Sequence, residues 1–308
     1  MFKIAFCAGH YIDTPGKRMP KSLDPNETRE WVLNNRVAGF FAEAAERFEN
    51  VLLMRTDDST GEGFIDIPQR AAVANAWGAD LYLDLHHNAA GKVFSGGGVE
   101  AFSYPGSAEG KKYRDAIYAA VINAGGLVGN RLQPLKEYPY DSLSMTNMAA
   151  VLIEYGYMDS TVDAPMILTD EYSRKVAYAT MEGIAKVAGL KRKKVSAPEK
   201  KPESGYTLVE FIKDVQRACG AKVDGISGQE TLSKTVTLSD SKNRTHAVVK
   251  AVQQRLYTIG YTQVGAADGI AGTKFTAAVT AFQEDNHCWI DGEITARNKT
   301  WRKLLGME

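Results

Sequence analysis

The chain has 308 residues, enough for one or two domains and, at 44% hydrophobic residues, for a sizeable core. Its 37 basic side chains balance 37 acidic ones, which speaks against a nucleic-acid partner, and its three scattered cysteines (Cys7, Cys219 and Cys288) speak against a disulfide framework and fit a reducing compartment. No apolar stretch approaches the roughly 18 residues of a membrane span, and the opening MFKIAFCAGH leaves no room for a secretory signal, so membrane insertion is not expected and the protein is expected to be made and held in a cytoplasm.

In chain order, FKIAFCA reads as a short β-rich run, and EWVLNNRVAGFFAEAAERF (30–48) as a helix with apolar spacing at Val32, Val37, Phe40, Phe41 and Ala44. NVLLMRT reads as a strand, IPQRAAVANAWG as a helix stopped at Gly78, and DLYLDLH and GVEAFSYP as strands. SAEGKKYRDAIYAAVINAGG is a helix, AAVLIEYGYM a strand and DEYSRKVAYATMEGIAKVAG a closing helix. Near-continuous apolar strands separated by helices predict an α/β layer: a mostly parallel, buried sheet flanked by helices.

In such sheets, sites form beyond the carboxyl ends of the strands. Three of these strands carry polar groups there: FKIAFCAGH runs into His10, DLYLDLHHN ends in His86 and His87, and AAVLIEYGY holds Glu154 in an otherwise apolar run. A carboxylate in that setting costs several kcal/mol unless it is paired, metal-bound or protonated. Glu30 opens the helix after the His10 loop and can reach the same edge. Two imidazoles and a carboxylate form a donor set that catalytic zinc uses, leaving a fourth position for water. A further carboxylate could move that water's proton. The spacing alone leaves open a second reading, in which each histidine is a satisfied polar residue at a strand end.

These residues also resemble a family. AGH with His10, REWVLNNRVAG with Glu30, Arg55 after the second strand, QRAAVAN, LHHN with His86 and Asn88, and AVLIEYGYMDS with Glu154 follow the order and spacing of the type-3, zinc-dependent N-acetylmuramoyl-L-alanine amidases. The resemblance implies Zn²⁺ held by His10, Glu30 and His86, with Glu154 as the catalytic carboxylate. The first loop departs from the family's Gly-His-Gly-Gly pattern, and Glu27 is the competing carboxylate, although its place at a helix start suits a cap. His86 and His87 point to opposite faces of a strand, so they should not share one ion. Cys7 lies inside its strand and reads as core.

Charge divides the chain. Residues 1–190 carry 18 Lys+Arg against 24 Asp+Glu, and residues 191–308 carry 19 against 13. KRKKVSAPEKKPESG (191–205) reads as a basic, solvated linker between a catalytic domain, 1–190, and a small, mainly helical domain, 206–308. The second domain repeats itself: VQRACGAKVDGISGQETL (215–232) parallels VQQRLYTIGYTQVGAADGIAGTKFTAAVTAFQ (252–283), and a third Asp-Gly follows in WIDGEITARNKTWRKLL (289–305). Each Asp-Gly suits a tight turn in which glycine supplies positive φ. Residues 248–305 resemble peptidoglycan-binding domain 1, while 206–240 form a truncated unit. Together the two resemblances imply a cell-wall lytic amidase engaging bacterial peptidoglycan through both domains. A phage endolysin is the expected setting, held in the host cytoplasm until the membrane is breached. The alternatives are a zinc peptidase cutting within the stem peptide and an inactive wall-binding protein.

Overall fold

A computed structural model describes residues 1–193 and 205–307. They belong to two compact units divided between Lys193 and Lys194. Most of the expected linker, 194–204, lies outside the described residues.

The first unit runs β1 (Phe2–Ala8), α1 (Glu30–Ala45), β2 (Val51–Arg55), α2 (Ile67–Trp77), β3 (Leu81–Asn88), β4 (Glu100–Ser103), α3 (Ala108–Asn123), β5 (Leu135–Glu137), α4 (Asp141–Ser144), β6 (Ala149–Tyr157), α5 (Ala164–Ile167) and α6 (Asp170–Ala188). The strands form one sheet in the order β2-β1-β3-β6-β4-β5. All neighbours are parallel except β4 and β6, which are antiparallel. The expected mostly parallel sheet is therefore present, with one antiparallel step. The chain passes from β1 to β2 on one side and then crosses back to β3 on the other, so the carboxyl ends of β1 and β3 flank a switch point where a crevice opens.

Local chemistry sets the helix limits. Asp66 and Gln69 form a reciprocal capping box at the start of α2, and Gly78 ends that helix in the left-handed region, at φ 67°. Ser107 and Thr169 cap α3 and α6 through their side chains. Glu30, Leu33, Asn34, Val37, Phe41 and Ala44 are buried along α1, a stripe at helical spacing against the sheet. The central strands are buried on both faces, as their apolar runs require.

The second unit contains α7 (Leu208–Cys219), α8 (Gln229–Lys234), α9 (Val248–Thr258), α10 (Thr273–Asp285) and α11 (Lys299–Leu304) around a core that includes Phe211, Val252, Phe275 and Trp301. One device recurs three times. A buried glutamine on a helix grips an Asp-Gly turn further along the chain. Gln216 donates from Nε2 to Asp224 Oδ1 at 2.8 Å and accepts at Oε1 from the Gly225 amide at 2.9 Å. Gln253 does the same with Asp268 at 2.7 Å and Gly269 at 2.8 Å, and Gln283 with Asp291 at 2.8 Å and Gly292 at 2.8 Å. The three glycines have φ of 76°, 80° and 72°, the left-handed geometry that favours glycine. These turns serve the fold: the carboxamide satisfies backbone groups that would otherwise be buried unpaired.

Candidate metal centre

His10 leaves β1 through Gly9 and sits at φ 69°, a conformation uncommon for a non-glycine residue and frequent at functional sites. Arg70 of α2 holds this corner by donating to the carbonyls of Ala8 at 3.2 Å and His10 at 2.8 Å. The loop from Tyr11 to Arg29 places Glu30: its backbone amide donates to Lys17 O at 3.0 Å, and Asp24 accepts from the amides of Asn26 and Thr28. β3 delivers His86, and β6 sets Glu154 opposite it in register.

Three of these residues, His10, Glu30 and His86, converge beside Glu154. His10 Nε2 lies 3.3 Å from Glu30 Oε2, and His86 Nδ1 lies 3.0 Å from Glu30 Oε1. The two imidazoles meet edge to face with centroids 4.9 Å apart. One ligand atom from each of His10, Glu30 and His86 lies within 4.8 Å of the other two. The Glu30 side chain is 1% exposed, whereas the histidines keep an edge toward solvent. Glu30 Oε2 is buried with no hydrogen-bond partner, with His10 at 3.3 Å and Lys17 at 3.6 Å as charged neighbours. Such an orphaned oxygen, on a carboxylate whose two oxygens each face an imidazole, suits a divalent cation, and the donor set is one that catalytic zinc takes.

Electrostatics follow from that packing. Burial alone would raise the Glu30 carboxyl, but the close approach and charge of His10 and His86 hold it well below the usual range. Burial lowers His10. Burial also disfavours charge on His86, yet the carboxylates of Asp84 and Glu30 raise it well above its ordinary value. Glu154 is pushed up to about 8, first by desolvation and then, against the His86 charge, by the Glu30 carboxylate; a divalent cation held by the cluster would favour its ionised form.

Glu154 Oε2 is likewise buried without a hydrogen-bond partner. Its cross-strand neighbour Glu100 contrasts with it, taking Lys136 at 2.7 Å, Tyr157 at 2.9 Å and Asn88 at 3.1 Å. A purely structural role for Glu154, pairing with Arg55 or Arg70, is not what the structure shows. Arg55 is bidentate to Asp57, and Arg70 binds backbone carbonyls, including that of Ile65.

The other sequence candidates lie elsewhere. Glu27 pairs with Arg18 at 3.4 Å in a half-exposed position, outside the cluster. His87 points to the opposite side from His86, its Nδ1 donating to Asn34 Oδ1 at 2.8 Å; burial lowers it to about 3, so it is neutral. Cys7 is buried as expected, but it is not inert packing: its thiol donates to Asp84 Oδ1 at 3.0 Å.

Three contributions escaped the sequence reading. Gly9 leaves room for the His86 ring: a Cβ there would fall inside the imidazole, 2.5 Å from Nδ1 and closer to Cε1 and Nε2. Asp84 meets His86 Nε2 at 3.0 Å; a carboxylate two residues before a strand-end histidine, hence on the same face, was the available signal. Asn34 donates to Gly9 O at 3.1 Å and joins the His10 corner to α1. Beside the cluster opens a cavity of about 550 Å³ lined by His10, His86, Tyr11, Phe64, Asp66 and Arg70 among others.

This α/β layer sets its cluster at the switch point, beyond the carboxyl ends of its strands. Residues 4–186 match the N-acetylmuramoyl-L-alanine amidase family, and the chain belongs to that family. Residues 245–304 match a putative peptidoglycan binding domain. The chain is 33% identical over 144 residues to N-acetylmuramoyl-L-alanine amidase CwlM of Bacillus licheniformis, a match covering 46% of this chain and 53% of that one. It is 31% identical over 217 residues to the endolysin of Bacillus phage SPP1, covering 64% of this chain and 76% of the endolysin. The catalytic domain of the amidase CwlV from Bacillus (Paenibacillus) polymyxa var. colistinus shares the fold, with a TM-score of 0.55 at 20% identity, over 62% of this chain and 100% of that domain. Among the described residues, no helix is long and apolar enough to cross a membrane.

Proposed function

We propose that residues 1–190 hydrolyse the amide between the lactyl group of N-acetylmuramic acid and the L-alanine of the stem peptide, with zinc held by His10, Glu30 and His86 and with Glu154 as the catalytic carboxylate. Residues 206–308 hold the enzyme to peptidoglycan across the linker 191–205. The observation that carries this reading is the convergence of two imidazoles and one carboxylate within 4.8 Å, beside a second carboxylate whose Oε2 is buried and unpartnered. Zinc in that set would supply Lewis-acid chemistry, polarising the amide carbonyl and acidifying a water. The chain supplies the rest. Glu154 takes a proton as water attacks the carbonyl carbon and returns it to the departing L-alanine amine. The apolar side of the cavity, at Tyr11 and Phe64, contacts the wall fragment, while Arg70 keeps His10 in place. The likeness to a phage endolysin supports a lytic setting in which the enzyme reaches the wall after the host membrane is breached.

Digestion of purified peptidoglycan followed by mass spectrometry tests this. Intact stem peptides with a free L-alanine amino end, and glycan stripped of peptide, are expected. Cleavage between stem residues would instead make the protein a peptidase, and an unaltered wall would leave a binding protein.

A further inference from the structure

We infer that Asp84 is a positioning residue for the metal centre: its carboxylate accepts the Nε2 proton of His86 and so turns Nδ1 toward Glu30 and His10. The inference rests on the zinc reading above. Asp84 and His86 are two residues apart on β3 and therefore share a face. Asp84 Oδ1 lies 3.0 Å from His86 Nε2, while Nδ1 of the same ring lies 3.0 Å from Glu30 Oε1. A carboxylate can only accept, so Nε2 is the donor. His86 would then hold a metal ion through Nδ1, free of a proton, while its Nε2–H faces Asp84. Carboxylates behind metal-binding imidazoles fix ring orientation and raise ligand basicity in this way.

The surroundings hold Asp84 itself in place. Cys7 stands opposite it in register on β1 and donates its thiol to the same Oδ1 at 3.0 Å. Tyr82, one step back on the same face, touches Cys7 Sγ at 3.3 Å through its hydroxyl. Gly9 closes the other side of the His86 ring, where no Cβ fits. The ring is thus confined between a backbone wall and a buried carboxylate. The Asp84 side chain is 7% exposed, a costly place for a charge without such a partner.

The test uses the full chain as wild type, Asp84→Asn and Asp84→Ala. Zinc affinity is read by competition with a chromophoric chelator, and the His86 ring by ¹⁵N–¹H spectra of histidine-labelled protein. Circular dichroism confirms the fold of each zinc-free variant. We expect zinc binding to weaken by about 10–100-fold, more in Asp84→Ala than in Asp84→Asn. The Nε2–H signal of His86 should be present in zinc-loaded wild type and lost or shifted in Asp84→Ala. If Asp84→Ala does not fold, Asp84→Asn carries the same comparison, since its neutral amide keeps the shape and loses the charge. A folded variant with wild-type zinc affinity and an unchanged His86 signal overturns the inference and leaves Asp84 a structural residue. Failure of the zinc reading itself is seen separately, as wild-type protein that takes up no zinc before any variant is compared.

Discussion

Replacing Gly9 with alanine puts a methyl group where the His86 imidazole now lies. The added Cβ would fall closest to Cε1 and Nε2, nearer still than the 2.5 Å to Nδ1, and ordinary contact begins near 3.4 Å, so the ring must retreat by more than about 1 Å. It has little freedom to do so, because its two nitrogens are held at 3.0 Å by Asp84 and at 3.0 Å by Glu30. Overpacking of this kind costs about 1–3 kcal/mol, which is roughly 2–4 °C in Tm per kcal/mol for a unit of this size. The larger effect falls on the site, where a misplacement of about 1 Å can cost on the order of 10²-fold in rate. Gly9→Ala should therefore remain folded by circular dichroism, melt a few degrees lower, bind zinc more weakly and lose about two orders of magnitude in turnover on soluble muropeptides. A Gly9→Ala protein with wild-type zinc affinity and turnover would show that His86 does not pack on the Gly9 backbone during catalysis, and would refute the reasoning.

Glu154→Gln keeps the side chain's shape and removes its basicity. It should fold and bind zinc normally while losing about 10²–10⁴-fold in turnover, and a zinc-loaded variant with near wild-type lysis would exclude Glu154 as the proton carrier. Glu30→Ala should abolish zinc binding, while Glu27→Ala, which removes only a half-exposed contact to Arg18, should retain one zinc per chain by metal analysis. His87→Ala should also keep its zinc, but it deletes a buried ring bonded to Asn34 and should lower the Tm by several degrees in calorimetry. Gln283→Leu strips the Asp291–Gly292 turn of its carboxamide and leaves buried amides unpaired at about 1–3 kcal/mol each. It should weaken retention on walls in a sedimentation assay while leaving turnover on soluble muropeptides intact.

The parts of the fold carried by local pattern were legible in the sequence. The apolar runs of β1, β3 and β6 and the helical spacing of α1 and α6 need only near neighbours to be recognised. β5 was not, because Leu135–Glu137 is three residues long, has no alternation to read and gains its strand character only by pairing with β4. The antiparallel entry of β4 is equally a matter of where the chain returns, which periodicity does not encode. At the site, His10, His86 and Glu154 stood out because each is a polar group at the end of, or within, an apolar strand, and Glu30 because it opens the following helix. Asp84 sits in mid-strand and reads as a lone interruption until Cys7 and His86 are seen around it. Gly9 is informative only through a ring 77 residues away in the chain. The glutamine grips were hidden for the same reason: Gln216 and Gln283 meet their turns eight residues on, whereas Gln253 reaches 15 residues on, past an extra turn.

Anomalous diffraction from zinc-loaded crystals, collected on both sides of the zinc absorption edge, tests the three-ligand centre most directly. One peak is predicted, within bonding distance (roughly 2.0–2.2 Å) of a nitrogen of His10, a carboxylate oxygen of Glu30 and Nδ1 of His86, and it should vanish in His86→Ala. A peak held by other residues, or zinc-loaded protein that shows none there, would contradict the assignment of these residues as the metal site.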